Sequence, residues 1–212
     1  MKTNFMTKHL TLALALALAL AGAALSAHAA EALVKYQSQP GSSVKMEGTS
    51  TVHDWATIGS VIGGSMELDA AFDADLKTVK QTPKVEIVIP VRSMKSQVTP
   101  GGPKMDQVMQ DHMNMKQFPR IEYKLAELTP KDGKMEAKGA LTVAGVTKTI
   151  VMPVTFERVQ GDKIKVAGTT TVKMSDFNIK PPNPEFAGVG IKTGDEVKIT
   201  FEWLTAKVKA AQ

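Results

Sequence analysis

Apolar and polar residues alternate along most of this chain. In PKVEIVIPVRS, Val85, Ile87, Ile89 and Val91 fall on one face, and in RIEYKLAEL so do Ile121, Tyr123 and Leu125. KMEAKGALTV places Met135, Ala137, Leu141 and Val143 together, with Gly139 among them. TIVMPVTFE, KIKVAGTTTVKM and EVKITFEW continue the pattern through Met152, Val154 and Phe156, then Ile164, Val166 and Val172, then Val197, Ile199, Phe201 and Trp203. Side chains on a strand alternate between its two faces, so each segment predicts a strand with one apolar side. LVKYQ, SVKMEGTSTVHDW and VIGGSMELDA are earlier candidates. With turn signals at Lys131-Asp132-Gly133, Ala144-Gly145 and Gln160-Gly161-Asp162, the total is about eight strands.

One segment follows a different period. KMDQVMQDHMNMKQFP sets Met105, Val108, Met109, His112 and Met113 at helical spacing, with Pro119 after it, and predicts an amphipathic helix over about 104–116. A proline-rich stretch, IKPPNPEFAGVGIKTGD, spans 179–195 and is too long for a tight hairpin; loops of that size often form functional rims. Many antiparallel strands with one apolar face make a sandwich or a barrel, and periodicity alone does not choose. Gly63-Gly64, Gly139 and Gly168 lie within strand-like runs, where glycine marks bulges or bends.

Composition narrows the setting. Residues 1–29 carry Lys2 and Lys8, an apolar run and Ala27-His28-Ala29, the order of a secretory signal peptide. The run from Leu10 to Leu25 has 16 residues, short of the roughly 20 that a spanning helix needs. The expected mature chain is residues 30–212, one domain with no membrane span. Its formal charge falls from +5 to +3, and its lysines are scattered, which argues against a nucleic-acid partner. The absence of Cys removes thiol catalysis and thiolate metal sites.

STVHDW, residues 50–55, brings a hydroxyl, an imidazole, a carboxylate and an indole close together in sequence. On a strand, His53 and Asp54 would point to opposite faces and would not pair. No nucleophile signature accompanies them, so catalysis by His53 is the weakest reading. The expectation is a non-enzymatic protein without a catalytic residue. Met105, Met109, Met113, Met115 and His112 also suggest soft ligands for Cu(I). The same methionines are what an apolar helix face requires, and packing is preferred to a metal or cofactor.

Several of these stretches occur together and in order. GTSTVHDW, VRSMKS, MDQVMQDHMNMKQFPRIEYK, GALTVAGVTKTI, MSDFNI and GDEVKITFEW resemble the YceI-like family of secreted bacterial proteins, some of which bind polyisoprenoids. The likeness runs from about 44 to 208. It implies an all-β fold, an antiparallel up-and-down lipocalin-like barrel of about eight strands with one short inserted helix. It also implies a periplasmic location and an isoprenoid or other long-chain lipid held inside. Many members open the helical segment with Arg-Asp; here the pair is Met105-Asp106, so no arginine contact carries over.

Alternation and family order together nominate Ile87, Ile89, Val91, Ile121, Tyr123 and Leu141 as ligand-binding wall positions. Val143, Phe177, Phe201 and Trp203 extend that wall. Met109 and Met113 would close one end, where His53 and Trp55 are further candidate contacts. The competing reading is a structural or partner-binding envelope protein whose barrel is filled by its own side chains.

Overall fold

The computed structural model describes residues 33–97, 102–183, 185–186 and 189–209. The expected signal peptide lies outside the described residues.

Eight long antiparallel staves close into a barrel, each hydrogen-bonded to the next in chain order. The first three are each broken in two. The first combines β1 (Val34–Ser38) with β2 (Ser43–Gly48), the second β3 (Trp55–Gly59) with β4 (Gly63–Leu68), and the third β5 (Lys84–Pro90) with β6 (Met94–Ser96). The remaining five are β7 (Arg120–Lys131), β8 (Lys134–Val143), β9 (Val146–Val159), β10 (Lys163–Lys173) and β13 (Glu196–Lys207). A two-stranded hairpin, β11 (Glu185–Phe186) and β12 (Val189–Gly190), lies in the long connection before β13. The last stave closes on the first. β13 pairs with β2 along 198–202 and with β1 along 205–207.

Up-and-down order sends alternate connections to opposite ends. β2, β6, β8 and β10 end, and β3, β7, β9 and β13 begin, at one end, called the mouth. The other end receives the turns 132–133 and 160–162 and a short helix, α1 (Ala70–Asp75), which the sequence pattern had not revealed. Asp69 starts this helix, its carboxylate accepting from the Phe72 amide at 2.9 Å and from the Gln81 amide at 3.1 Å. The helix presents fully buried Phe72 to the barrel bottom, edge-on to Phe156 with ring centroids 5.1 Å apart. Tyr36, Met66, Leu68, Ile164 and Trp203 fill the space above it.

The expected helix is α2 (Gly102–His112), four residues shorter than its periodicity at the C-terminal side. It lies against β6, which pairs with β3 and, among the described residues, not with β7. Asp106 fixes it there, accepting from the Ser96 amide at 2.6 Å and pairing with Lys95 at 3.3 Å.

One local expectation changes. The stretch 49–54 is a turn and not strand, because the Ser50 hydroxyl satisfies the backbone: it donates to the His53 carbonyl at 2.6 Å and accepts from the His53 amide at 3.2 Å. As expected of the strand glycines, the register slip between Leu125 and Glu127 falls opposite Gly139, which pairs with Leu125 while Lys138 pairs with Glu127, and β10 parts from β9 at Gly168. Gly139 also serves close packing, for a Cβ there would run into the Tyr123 ring.

Candidate functional site

Above the filled half the barrel is hollow. A cavity of about 210 Å³ lies between the mouth loops, α2 and the upper staves. Its walls come from many elements because the inward positions of neighbouring strands meet at one level. β2 contributes Val44 and Met46, β7 Ile121, β8 Leu141 and Val143, and β13 Val197 and Ile199. The helix contributes Met105, Val108, Met109 and His112, which lie three or four residues apart and so share a face.

The mouth is laced by backbone. The Thr51 amide donates to the Lys192 carbonyl at 2.9 Å, the Gly194 amide to the Thr49 carbonyl at 2.9 Å, and Ser50 bridges to Thr193. Below this lacing a 3-10 turn, Met174–Phe177, carries buried Phe177 into the wall. Asp195 holds that turn by accepting from the Ser175 amide at 2.9 Å and hydroxyl at 2.6 Å, and these bonds draw its carboxyl below the usual range.

Nine of the sequence-nominated positions meet at this cavity: His53, Trp55 and Ile89; Met109, Met113 and Ile121; Leu141, Val143 and Phe177. Ile87, Val91, Tyr123, Phe201 and Trp203 lie outside its lining. Ile87 and Tyr123 are register partners one inward step below Ile89 and Ile121. Trp203 belongs to the filled half, and Val91 is buried in the 3-10 turn between β5 and β6. Sequence reasoning passed over Met46, Met94, Val172 and Ile179, which also line the space. Met46 was readable in the alternation of SVKMEG; Ile179 belongs to an irregular loop with no period to read.

Among the described residues, the side chains of Ser50 and His53 bond to backbone and not to each other. The Ser50 hydroxyl is committed to its own turn, and His53 uses Nδ1 on the Asp54 carbonyl at 2.8 Å. A carbonyl only accepts, so that nitrogen carries the proton. His112 does the same with the Val108 carbonyl at 2.9 Å. Among the described residues, no group of three or more His, Asp or Glu side chains is placed to hold a metal ion.

Other buried polar atoms nearby are left unpaired. The Trp55 indole lies across Gly48, its register partner, where any Cβ would collide with the ring. Its Nε1 and the Thr57 hydroxyl are buried without a hydrogen-bond partner. The Tyr123 phenol is also unpartnered, and burial pushes its pKa up to about 12.

The YceI-like domain family matches residues 36–204, from the first stave to the last. The chain belongs to the YceI-like family. Solved structures agree in fold. Burkholderia cenocepacia BcnA is 20% identical, with 77% of this chain and 95% of that one covered at a TM-score of 0.61. A polyisoprenoid binding domain from Saccharophagus degradans, implicated in plant cell wall breakdown, is 13% identical, with 84% and 100% covered at 0.58. A Campylobacter jejuni YCEI protein is 19% identical, with 73% and 85% covered at 0.54. No curated protein matches the chain. The closed eight-stave barrel is thus the YceI-like architecture, and the cavity occupies its mouth half.

Proposed function

We propose that this protein is a secreted, periplasmic carrier that holds an isoprenoid or another long-chain amphiphilic lipid inside its barrel and performs no covalent chemistry. The observation that carries this reading is the cavity itself, a space walled by aliphatic, thioether and aromatic side chains from the barrel and one face of α2. Each methylene moved from water into such a space contributes about 0.8 kcal/mol. Each methylene that the space takes in adds to an affinity that must first offset the cost of association. The polyisoprenoid-binding neighbour supports the same class of cargo. Among the described residues, no helix is long and apolar enough to cross a membrane.

The test is native mass spectrometry and lipid extraction on protein purified from a bacterial envelope. The expected result is a co-purified apolar adduct of defined mass that is released by organic solvent. Repeated recovery of the bare polypeptide, together with failure to take up added prenols, would overturn the proposal.

A further inference from the structure

The strand wall is incomplete beside the cavity. β5 and β7 run together as far as Pro90 and Arg120, and a last backbone bond joins the Val91 amide to the Pro119 carbonyl at 3.0 Å. Beyond that point β6 pairs with β3 through Met94, Lys95 and Ser96, and among the described residues no strand pairs with its other edge. A free edge leaves backbone groups in need of partners. Helix α2 lies against this edge and lines the cavity with Met105, Val108, Met109 and Met113. Unbranched thioethers repack readily when their neighbours shift.

The two covers of the cavity are fastened differently. The connection between β10 and β13 contributes Phe177, Ile179, Pro182 and Ile191 to the lining. Within it the Met174 amide donates to the Asp195 carbonyl and the Thr193 amide to the Pro182 carbonyl. Thr51 ties it to the neighbouring turn, donating its amide to the Lys192 carbonyl and accepting the Lys192 amide on its hydroxyl at 3.2 Å. Helix α2 spends many of its polar groups on itself. The Met113 amide donates to the Met109 carbonyl, the His112 ring to the Val108 carbonyl and the Gln107 side chain to the Asp111 carboxylate. Asp106 reaches the barrel. The Gln97 amide donates to the Ala56 carbonyl on β3, so the Ser96 amide before it points to the open edge, where the Asp106 carboxylate receives it at 2.6 Å. That carboxylate is 14% exposed, and its second partner, Lys95, is 61% exposed.

We propose that α2 is a side gate latched by Asp106. Cargo enters and leaves between β6 and β7 as the helix swings off β6, while the connection between β10 and β13 stays in place. The proposal rests on the lipid-carrier reading and adds the route to it.

The chain has no Cys, so introduced pairs form defined crosslinks. Ser96→Cys with Asp106→Cys bolts the helix to β6. Thr51→Cys with Lys192→Cys bolts the mouth. Stopped-flow uptake of N-phenyl-1-naphthylamine, an apolar dye that brightens on leaving water, reads the rate. Loss of one charge-assisted hydrogen bond corresponds to roughly tenfold or more in an opening equilibrium. Asp106→Ala should therefore speed uptake and release together by roughly tenfold, with Kd unchanged. The oxidised helix bolt should slow both by at least about tenfold, and reduction should restore them to at least the wild-type rate, which also shows that this variant has folded. The oxidised mouth bolt should leave the rates within about twofold of wild type. Slowing by the mouth bolt, or no slowing by the helix bolt, would overturn the gate and leave the carrier reading intact. So would an Asp106→Ala variant with wild-type rates, a result that stands whether or not the bolted proteins fold. A wild-type protein that never brightens the dye would remove the carrier reading and the gate together.

Discussion

The two halves of the barrel use the same residue types to different ends. In the filled half, Trp203 donates from Nε1 to the Ser38 hydroxyl at 2.8 Å, and that hydroxyl donates to the Gly64 carbonyl at 2.9 Å. Thr205 donates to the Ile164 carbonyl at 3.0 Å, and Tyr36 to the Asp73 carboxylate at 2.6 Å. In the mouth half, Trp55, Thr57 and Tyr123 have no such partners. A buried polar group that is paired adds modestly to stability, whereas one left unpaired subtracts from it. The lower half is thus arranged for stability. The upper half keeps apolar surface and hydrogen-bonding capacity unspent, as a binding site must.

The largest effect should come from the plug. Phe72→Ala removes a fully buried ring against Phe156 and should cost about 3–5 kcal/mol in urea unfolding. A loss below about 1 kcal/mol would break the contrast between the halves.

Next comes the polar seal at the same end. Arg158 reaches the Asp73 backbone carbonyl and carboxylate, and Lys207 approaches that carboxylate at 3.2 Å. Burial by itself would raise the Asp73 carboxyl, but hydrogen bonds from Tyr36, Lys207 and Arg158 outweigh it and hold the group below its ordinary value. A depressed carboxylate stabilises the fold fully above its unfolded pKa near 3.9 and loses that contribution as the pH falls through its folded value. Asp73→Asn should therefore cost about 1–2 kcal/mol at neutral pH, since two partners are partly exposed. The gap to wild type should persist down to about pH 5 and close below about pH 4. A gap that widened on acidification would contradict the assignment.

Met109→Ala sharpens the comparison from the other side. Its side chain already borders open space, so fewer packing contacts are lost, and the cost should stay under about 1 kcal/mol by thermal unfolding. Smallest of all should be Lys124→Gln on the outer face. Its pair with Glu86 at 3.1 Å leaves both side chains 65% exposed, and the expected change is below about 0.5 kcal/mol.

The inward face of most long strands was legible in the sequence, although on β7 the slip after Leu125 turns Leu128 inward out of the alternation. The level along the barrel was not legible. Alternation treats Ile87 and Ile89 alike, as it does Phe201 and Ile199. Only Ile89 and Ile199 reach the cavity. The breaks in the first three staves were hidden because each half keeps its own alternation. The turn at 49–54 was hidden because threonine and valine suit a strand until Ser50 closes on its own backbone. Helix α1 has six residues, too few to display a period, although Asp69 as its cap was a visible signal.

What the amino-acid order decided alone was the approximate number of staves, the face most of them turn inward and the place of the inserted helix. These are local consequences of backbone geometry, in which neighbouring Cβ atoms point to opposite sides. Where the filling stops was decided only in three dimensions. Phe72 rising from a six-residue helix, Trp203 from the last stave and Tyr36 from the first must converge at one height to plug the barrel. No local pattern holds that information, because the volume at any height is the sum of side chains from strands far apart in the chain.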